Sequence, residues 1–185
     1  SLIPRVEWPM PERFANLADG DELRYGGYRM RAVDTPGHTP GHQCLYLPDQ
    51  KVMFYGDHLL MNSSPNMAPF PGEADSLGDY LRSLDKVAQL PVEFACMGHG
   101  FVDPRRQAEA MPERIAWLQR HHRQRLDEIA AQLEERPGMT GTELAKSITW
   151  NIPHAAWEEI PIIQRWIVVC ETLAHLDHLM GEGRV

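Results

Sequence analysis

The chain has 185 residues, 43% of them apolar and 24% charged, the make-up of an ordinary globular protein that can bury a core of its own. Its net charge of −8 argues against nucleic acid or an anionic membrane as the partner of the whole molecule, and no apolar run approaches the ~20 residues that cross a bilayer. Three cysteines, Cys44, Cys96 and Cys170, are far apart, odd in number and set in apolar sequence; they read as buried, reduced thiols of a cytoplasmic protein.

Along the chain, Ser1 to Gly27 reads mostly as loop, and the absence of an initiating methionine points to a segment removed upstream. Asp19-Gly20 and Gly26-Gly27 are turn signals flanking a short candidate strand. Tyr28 to Val33 alternates as a strand does. Gln43 to Leu47 and Lys51 to Tyr55 form a hairpin around Pro48-Asp49-Gln50, with Leu45, Leu47, Val52 and Phe54 on its inner face. Met61 to Ala74 is a long proline-rich loop, of the kind that tends to be functional. Asp75 to Leu90 predicts a helix with Ser76 and Asp79 in a capping-box relation and an apolar stripe of Leu77, Tyr80, Leu81, Leu84 and Val87. Val92 to Met97 is a short buried strand.

From Pro112 the composition turns helical. A long helix over 112–136 carries Ile115, Leu118, His122, Leu126, Ile129 and Leu133 at helical spacing, so that His122 reads as a satisfied core residue. Thr140 and Glu143 cap a shorter helix ending near Ile148. A last helix over 162–180 would turn Trp166, Cys170, Leu173 and Leu176 inward, and the tail GEGRV suggests a turn into a further strand. The expected organisation is therefore two domains, 1–110 and 111–185, with no internal repeat.

The stretch from Val33 to His58 holds three histidines and three aspartates, the last of them Asp57. His38 follows a strand, Asp57 closes the hairpin behind Gly56, and His99 lies between Gly98 and Gly100 past the next strand. Residues on loops past the carboxyl ends of strands can meet at one edge of a sheet, and neighbouring glycines let a ligand approach closely. Imidazole with carboxylate suits zinc or another divalent first-row metal, and a carboxylate shared by two metals suits hydrolysis. On residue types alone this reading is level with the plainer one, in which each histidine is a surface or capping residue.

The segments TPGHTPGH, FYGDH and MGHG, in that order and context, resemble the second half of the metallo-β-lactamase superfamily, over about Leu17 to Asp103. The remaining part, with HHRQRLDEIAAQL and LAHLDHLMGEGRV, is similar to the winged-helix appendix of some of these hydrolases. The resemblance implies an α/β fold, one half of the αβ/βα sandwich followed by a helical, winged-helix-like domain. It implies His38, Asp57 and His99 as metal ligands, with Asp57 also catalytic as the bridge that orients the nucleophile. His42, Thr35 and Thr39 would stand behind them as hydrogen-bond partners. Two zinc ions are implied for the intact protein, iron and manganese also suiting these donors. The reaction would be metal-assisted attack of water on an ester, thioester, amide or phosphodiester of a small-molecule substrate.

One family motif, H-x-H-x-D-H, is absent: residues 1–33 contain no histidine. A stable zinc site needs three or four protein ligands, whereas here each metal would have two, one of them shared. The expectation is a truncated chain, the C-terminal portion of a longer hydrolase, inactive alone and holding metal weakly or not at all. Its sheet would be covered by the missing N-terminal half or by a second copy in a homodimer. The alternative is a non-catalytic interaction protein, or a nucleic-acid-binding winged helix on a degenerate hydrolase fold. Against nucleic acid, 121–185 carries six Lys or Arg against ten Asp or Glu, with no basic stripe.

Overall fold

A computed structural model of the protein describes residues 15–100, 102–150 and 156–185; the reading of the first fourteen residues as loop lies outside the described residues. Five strands, β1 (Glu22–Tyr25), β2 (Tyr28–Asp34), β3 (Gln43–Leu47), β4 (Val52–Gly56) and β5 (Phe94–Met97), form one sheet in sequence order. The first four make an antiparallel meander, and β5 joins β4 in parallel after a crossover through helix α1 (Ser76–Ala88). The expected mixed α/β class is the one found. Its direction pattern has a consequence for chemistry. β2, β4 and β5 all run the same way, so the residues that follow them emerge at one edge of the sheet.

Side chains alternate across the sheet as the pleat requires. Cys44, Tyr46, Met53 and Tyr55 share a buried cluster with Leu77, Leu84 and Val87 of α1 and with Met111 and Ile115 of the next helix, α2 (Pro104–Glu135). On the other face Leu45 pairs with Phe54, and Leu47 with Val52, as the alternation predicts. Phe54 there is 45% exposed, so a large aromatic ring on a central strand meets solvent. Cys44 is buried, but Cys96 and Cys170 are only partly so, a correction to the reading of all three as buried. Burial pushes the Cys44 thiol up to about 12, so it is inert.

Two helix boundaries differ from the expectations. Asp75, not Ser76, caps α1: its carboxylate accepts from the Gly78 N–H at 2.7 Å. A carboxylate one residue upstream outcompetes a hydroxyl at a helix N-terminus, and the Ser76 hydroxyl is left buried with no partner among the described residues. Helix α2 begins at Pro104, not Pro112. Asp103 accepts from the Arg105 N–H at 2.9 Å and Pro104 occupies the first turn, where a proline costs nothing. Pro112 is carried inside the helix at the loss of one main-chain bond. The tail makes the turn that was expected: Gly183 takes φ +67° and the Arg184 N–H returns to the Leu179 carbonyl at 3.0 Å, a glycine stop of the Schellman kind. Helix α3 (Gly141–Ser147) has the Thr140–Glu143 capping box that was expected.

Helix α4 (Ile162–Gly181) corrects a further expectation. Trp166 is 61% exposed, and the buried face carries Val168, Glu171, Thr172, Ala174, His175 and Leu179 instead. The polar members of that face have partners. Arg125 of α2 donates to Glu171 Oε1 at 2.9 Å with both side chains buried, and stacks over Trp150. His178 donates from Nδ1 to the Asp75 carboxylate at 2.9 Å, tying α4 to the cap of α1. Truncating Arg125 to alanine strands a buried carboxylate, so a loss of about 3 kcal/mol is expected, read as a lowered urea midpoint at unchanged slope. Among the described residues past Met97 every regular element is helical: α2, α3, a 3₁₀ turn (Trp157–Glu159) and α4.

Candidate metal centre

The edge to which β2, β4 and β5 point collects His38, Asp57 and His99. His99 Nε2 lies 3.0 Å from Asp57 Oδ1, and His38 Nε2 lies 3.9 Å from Asp57 Oδ2. One carboxylate thus turns its two oxygens to two different imidazoles. Local structure holds each in place. Gly56 takes φ +53°, turning β4 sharply into Asp57, and the Gly98 N–H donates to the Gly56 carbonyl at 3.0 Å. A Cβ on Gly98 would stand 2.9 Å from Asp57 Oδ1, so only glycine lets the two loops close together.

The His38 loop must reach across β3, and α1 holds it there. The Ser83 hydroxyl donates to the Pro36 carbonyl at 2.9 Å, and the Lys86 ammonium to the Asp34 carbonyl at 3.0 Å. Gly37, at φ +133°, packs onto the main chain of Tyr80. His38 Nδ1 lies 2.9 Å from the Asn66 carbonyl. A carbonyl only accepts, so Nδ1 carries the proton and Nε2 offers its lone pair towards Asp57. That is the ligand form of a histidine, fixed from behind by the long loop.

Of the other residues singled out in the sequence, Thr35 is buried and its hydroxyl lies 2.7 Å from His42 Nδ1 and 3.3 Å from Cys44 Sγ. His42 packs against Gly56, directly before Asp57, and burial holds its imidazole below its ordinary value. Both therefore brace the loops rather than face the carboxylate. Thr39 is exposed and takes part through its main chain, its carbonyl accepting from the His42 N–H at 3.2 Å.

By type the donors suit a divalent metal of the zinc class, but one donor atom from each of the three does not come within 4.8 Å of the other two, so Asp57 pairs with each histidine separately. They are fewer than a closed site needs. His99 is 73% exposed, which leaves its side of the carboxylate open.

A second group of side chains was not legible in the sequence. His121, His122 and Glu171, on α2 and α4, bring donor atoms within 4.8 Å of one another. His122 is buried, but its Nε2 has no partner among the described residues, which corrects the reading of a satisfied core histidine. Tyr80 packs edge-on between His58 and His122, with ring centroids 5.3 and 5.5 Å away. Burial pushes His58 and His175 down to about 3, against an unfolded value near 6.5. Below about pH 6.5 the unfolded chain therefore binds protons that the folded chain refuses, and stability falls as pH drops towards 3. Each of these histidines contributes a slope of about 1.4 kcal/mol per pH unit. The metal-free chain should accordingly lose Tm steeply between about pH 6.5 and 5; a flat Tm there would contradict the burial.

Residues 15–99 match the profile of the metallo-beta-lactamase superfamily. A metallo-beta-lactamase family protein from Thermus thermophilus is 32% identical, with TM-score 0.73 over 94% of this chain and 51% of its own. A beta-lactamase domain protein from Burkholderia ambifaria is 29% identical, with TM-score 0.78 over 95% of this chain and 49% of its own. A hydroxyacylglutathione hydrolase from Cereibacter sphaeroides is 34% identical over 93 residues, half of this chain and 34% of that protein. The chain thus spans about half the length of the two solved structures and a third of that enzyme. Residues 15–99 are thus similar to a metallo-beta-lactamase superfamily domain, with a hydrolase among the relatives of that part, and a helical part follows them.

Proposed function

We propose that the chain is the C-terminal portion of a metal-dependent hydrolase acting on an ester, thioester, amide or phosphodiester of a small molecule. The observation that carries this reading is the Asp57 carboxylate, with one oxygen turned to His38 and the other to His99. His38, Asp57 and His99 would hold divalent metal, zinc first and iron or manganese next, which would supply an activated water and an electrophile for the developing negative charge. Asp57 would orient the attacking water. His38 keeps its lone pair on the site because Asn66 holds its proton. Thr35 and His42 fix the spacing of the two loops.

The substrate would lie beside this edge. A cavity of about 510 Å³ is bordered by Asn62, Ser63 and Asn66 of the long loop, by Arg114 and Trp117 of α2, and by Gln164 of α4. Arg114 donates to the Leu60 and Ser63 carbonyls at 2.7 and 2.5 Å, so the loop and the helical part share one wall. The winged-helix likeness of α3 and α4 is part of this proposal as packing structure, not as a nucleic-acid reader.

The open side of His99 and the exposed Phe54 both fit a chain that lacks a complementary half. That half would bring further ligands and a second sheet, or a second copy would cover the Phe54 face. Counted as the zinc lost on Asp57→Ala with His99→Ala, the Asp57 edge of the dialysed 185-residue chain should hold less than one ion, and the chain should hydrolyse none of a panel of thioester, ester and phosphodiester substrates. By the same count a longer natural form should hold two zinc ions at this edge and hydrolyse at least one member. Two zinc ions held tightly at this edge by the short chain, or no hydrolysis by the zinc-loaded long form, would end this reading.

A further inference from the structure

The helical part holds a polar group that the reaction above does not use. Its hydrogen bonds run in one direction. His175 Nδ1 lies 2.7 Å from the Glu171 carbonyl, an obligate acceptor, so that nitrogen carries the proton and His175 Nε2 is left as a lone pair. His122 Nδ1 lies 3.1 Å from that Nε2, so His122 must donate from Nδ1. The chain of donations ends at His122 Nε2, a bare lone pair, fully buried and without a partner among the described residues. His121 Nε2 is likewise buried and unpartnered among those residues, with its ring stacked on Trp117 at 4.8 Å.

We propose that His121, His122 and Glu171 form a second, separate site for a divalent transition-metal cation of the zinc class, between α2 and α4. Three facts converge. The donor atoms of these residues lie within 4.8 Å of one another. Two neutral imidazoles and a carboxylate are borderline donors suited to zinc, cobalt or nickel. The bond from His122 to His175, and from His175 to a main-chain carbonyl, is the backing that metal-bound histidines usually have. Donors ~2.1 Å from a tetrahedral ion stand ~3.4 Å apart, so loading needs a closure on the order of 1 Å. His121, the half-buried member, can supply it. The cavity of about 510 Å³ that includes His121 and Glu171 in its wall is the route from solvent, and it leaves a fourth position open to an outside ligand. One charge opposes the ion: Arg125, which occupies Glu171 Oε1 and leaves Oε2 as the donor.

The test uses the intact protein with Asp57→Ala and His99→Ala, which disable the other centre, and titrates it with cobalt(II). One equivalent should bind and give the visible d–d bands of a four-coordinate ion, with zinc displacing it. His121→Ala and Glu171→Gln, each added singly, should weaken binding at least tenfold. Because His121 borders a cavity, its truncation leaves the fold intact, which circular dichroism checks. Unchanged affinity in both variants, or no cobalt bound by the folded background, would show a histidine-rich core and overturn the proposal.

Discussion

Replacing Asp57 by alanine in the intact protein should lower kcat/KM for hydrolysis on the order of 10³-fold or more, and should release metal. Both effects have one origin. The carboxylate is the group that faces both His38 and His99, so its loss separates the two halves of the centre and removes the negative charge that holds cations there. An asparagine side chain would keep the shape without the charge, so Asp57→Asn should still bind metal, but at least tenfold more weakly. Metal content and steady-state kinetics on the same preparations decide it. An Asp57→Ala protein with full metal and unaltered kcat/KM would remove the basis for the whole functional reading.

A comparable loss, in stability rather than chemistry, is expected at Gly37. Its φ of +133° is a backbone region that residues with a side chain rarely adopt, and an added Cβ would fall 2.6 Å from Tyr80 Cα. That neighbour is helix main chain and cannot turn aside as a flexible side chain would. Gly37→Ala should therefore cost about 3 kcal/mol or more, a fall in Tm of roughly 10 °C for a domain of this size. The loop would lift from α1 and take His38 with it, so metal affinity should fall alongside Tm. Gly41 has no atom within 4 Å of its added Cβ, and Gly41→Ala is the control that should leave both nearly unchanged. Equal behaviour of the two variants would mean that the contact of Gly37 with α1 is not what positions His38.

What could be read from sequence followed the range of the forces involved. The ends of β2, β4 and β5 are set by nearest-neighbour signals, namely period-two alternation and flanking glycines, and these placed His38, Asp57 and His99 on loops that meet. The cap of α1 and the start of α2 were misjudged because two candidates competed within a few residues, Asp75 against Ser76 and Pro104 against Pro112. The sequence shows both members of each pair but not which one the helix uses. The face of α4 was missed for a different reason. Its apolar residues lie on nearly every side, so periodicity cannot choose, and the choice falls to Arg125 and His122 of α2, which offer partners to Glu171 and His175. The one local trace of that pairing was the i, i+4 spacing of Glu171 and His175, opposite the doublet His121-His122.

Helix α2 is continuous from Pro104 to Glu135, a rod of about 48 Å at 1.5 Å per residue. It is rooted just past the His99 loop and grips the Leu60 and Ser63 carbonyls through Arg114 partway along. A rod fixed at its foot and again partway up behaves as a lever: a small tilt at the α3 end is delivered to both loops that flank Asp57. Sequence change far out on the helical part can therefore retune the spacing of the His38–Asp57–His99 edge without touching any residue in it.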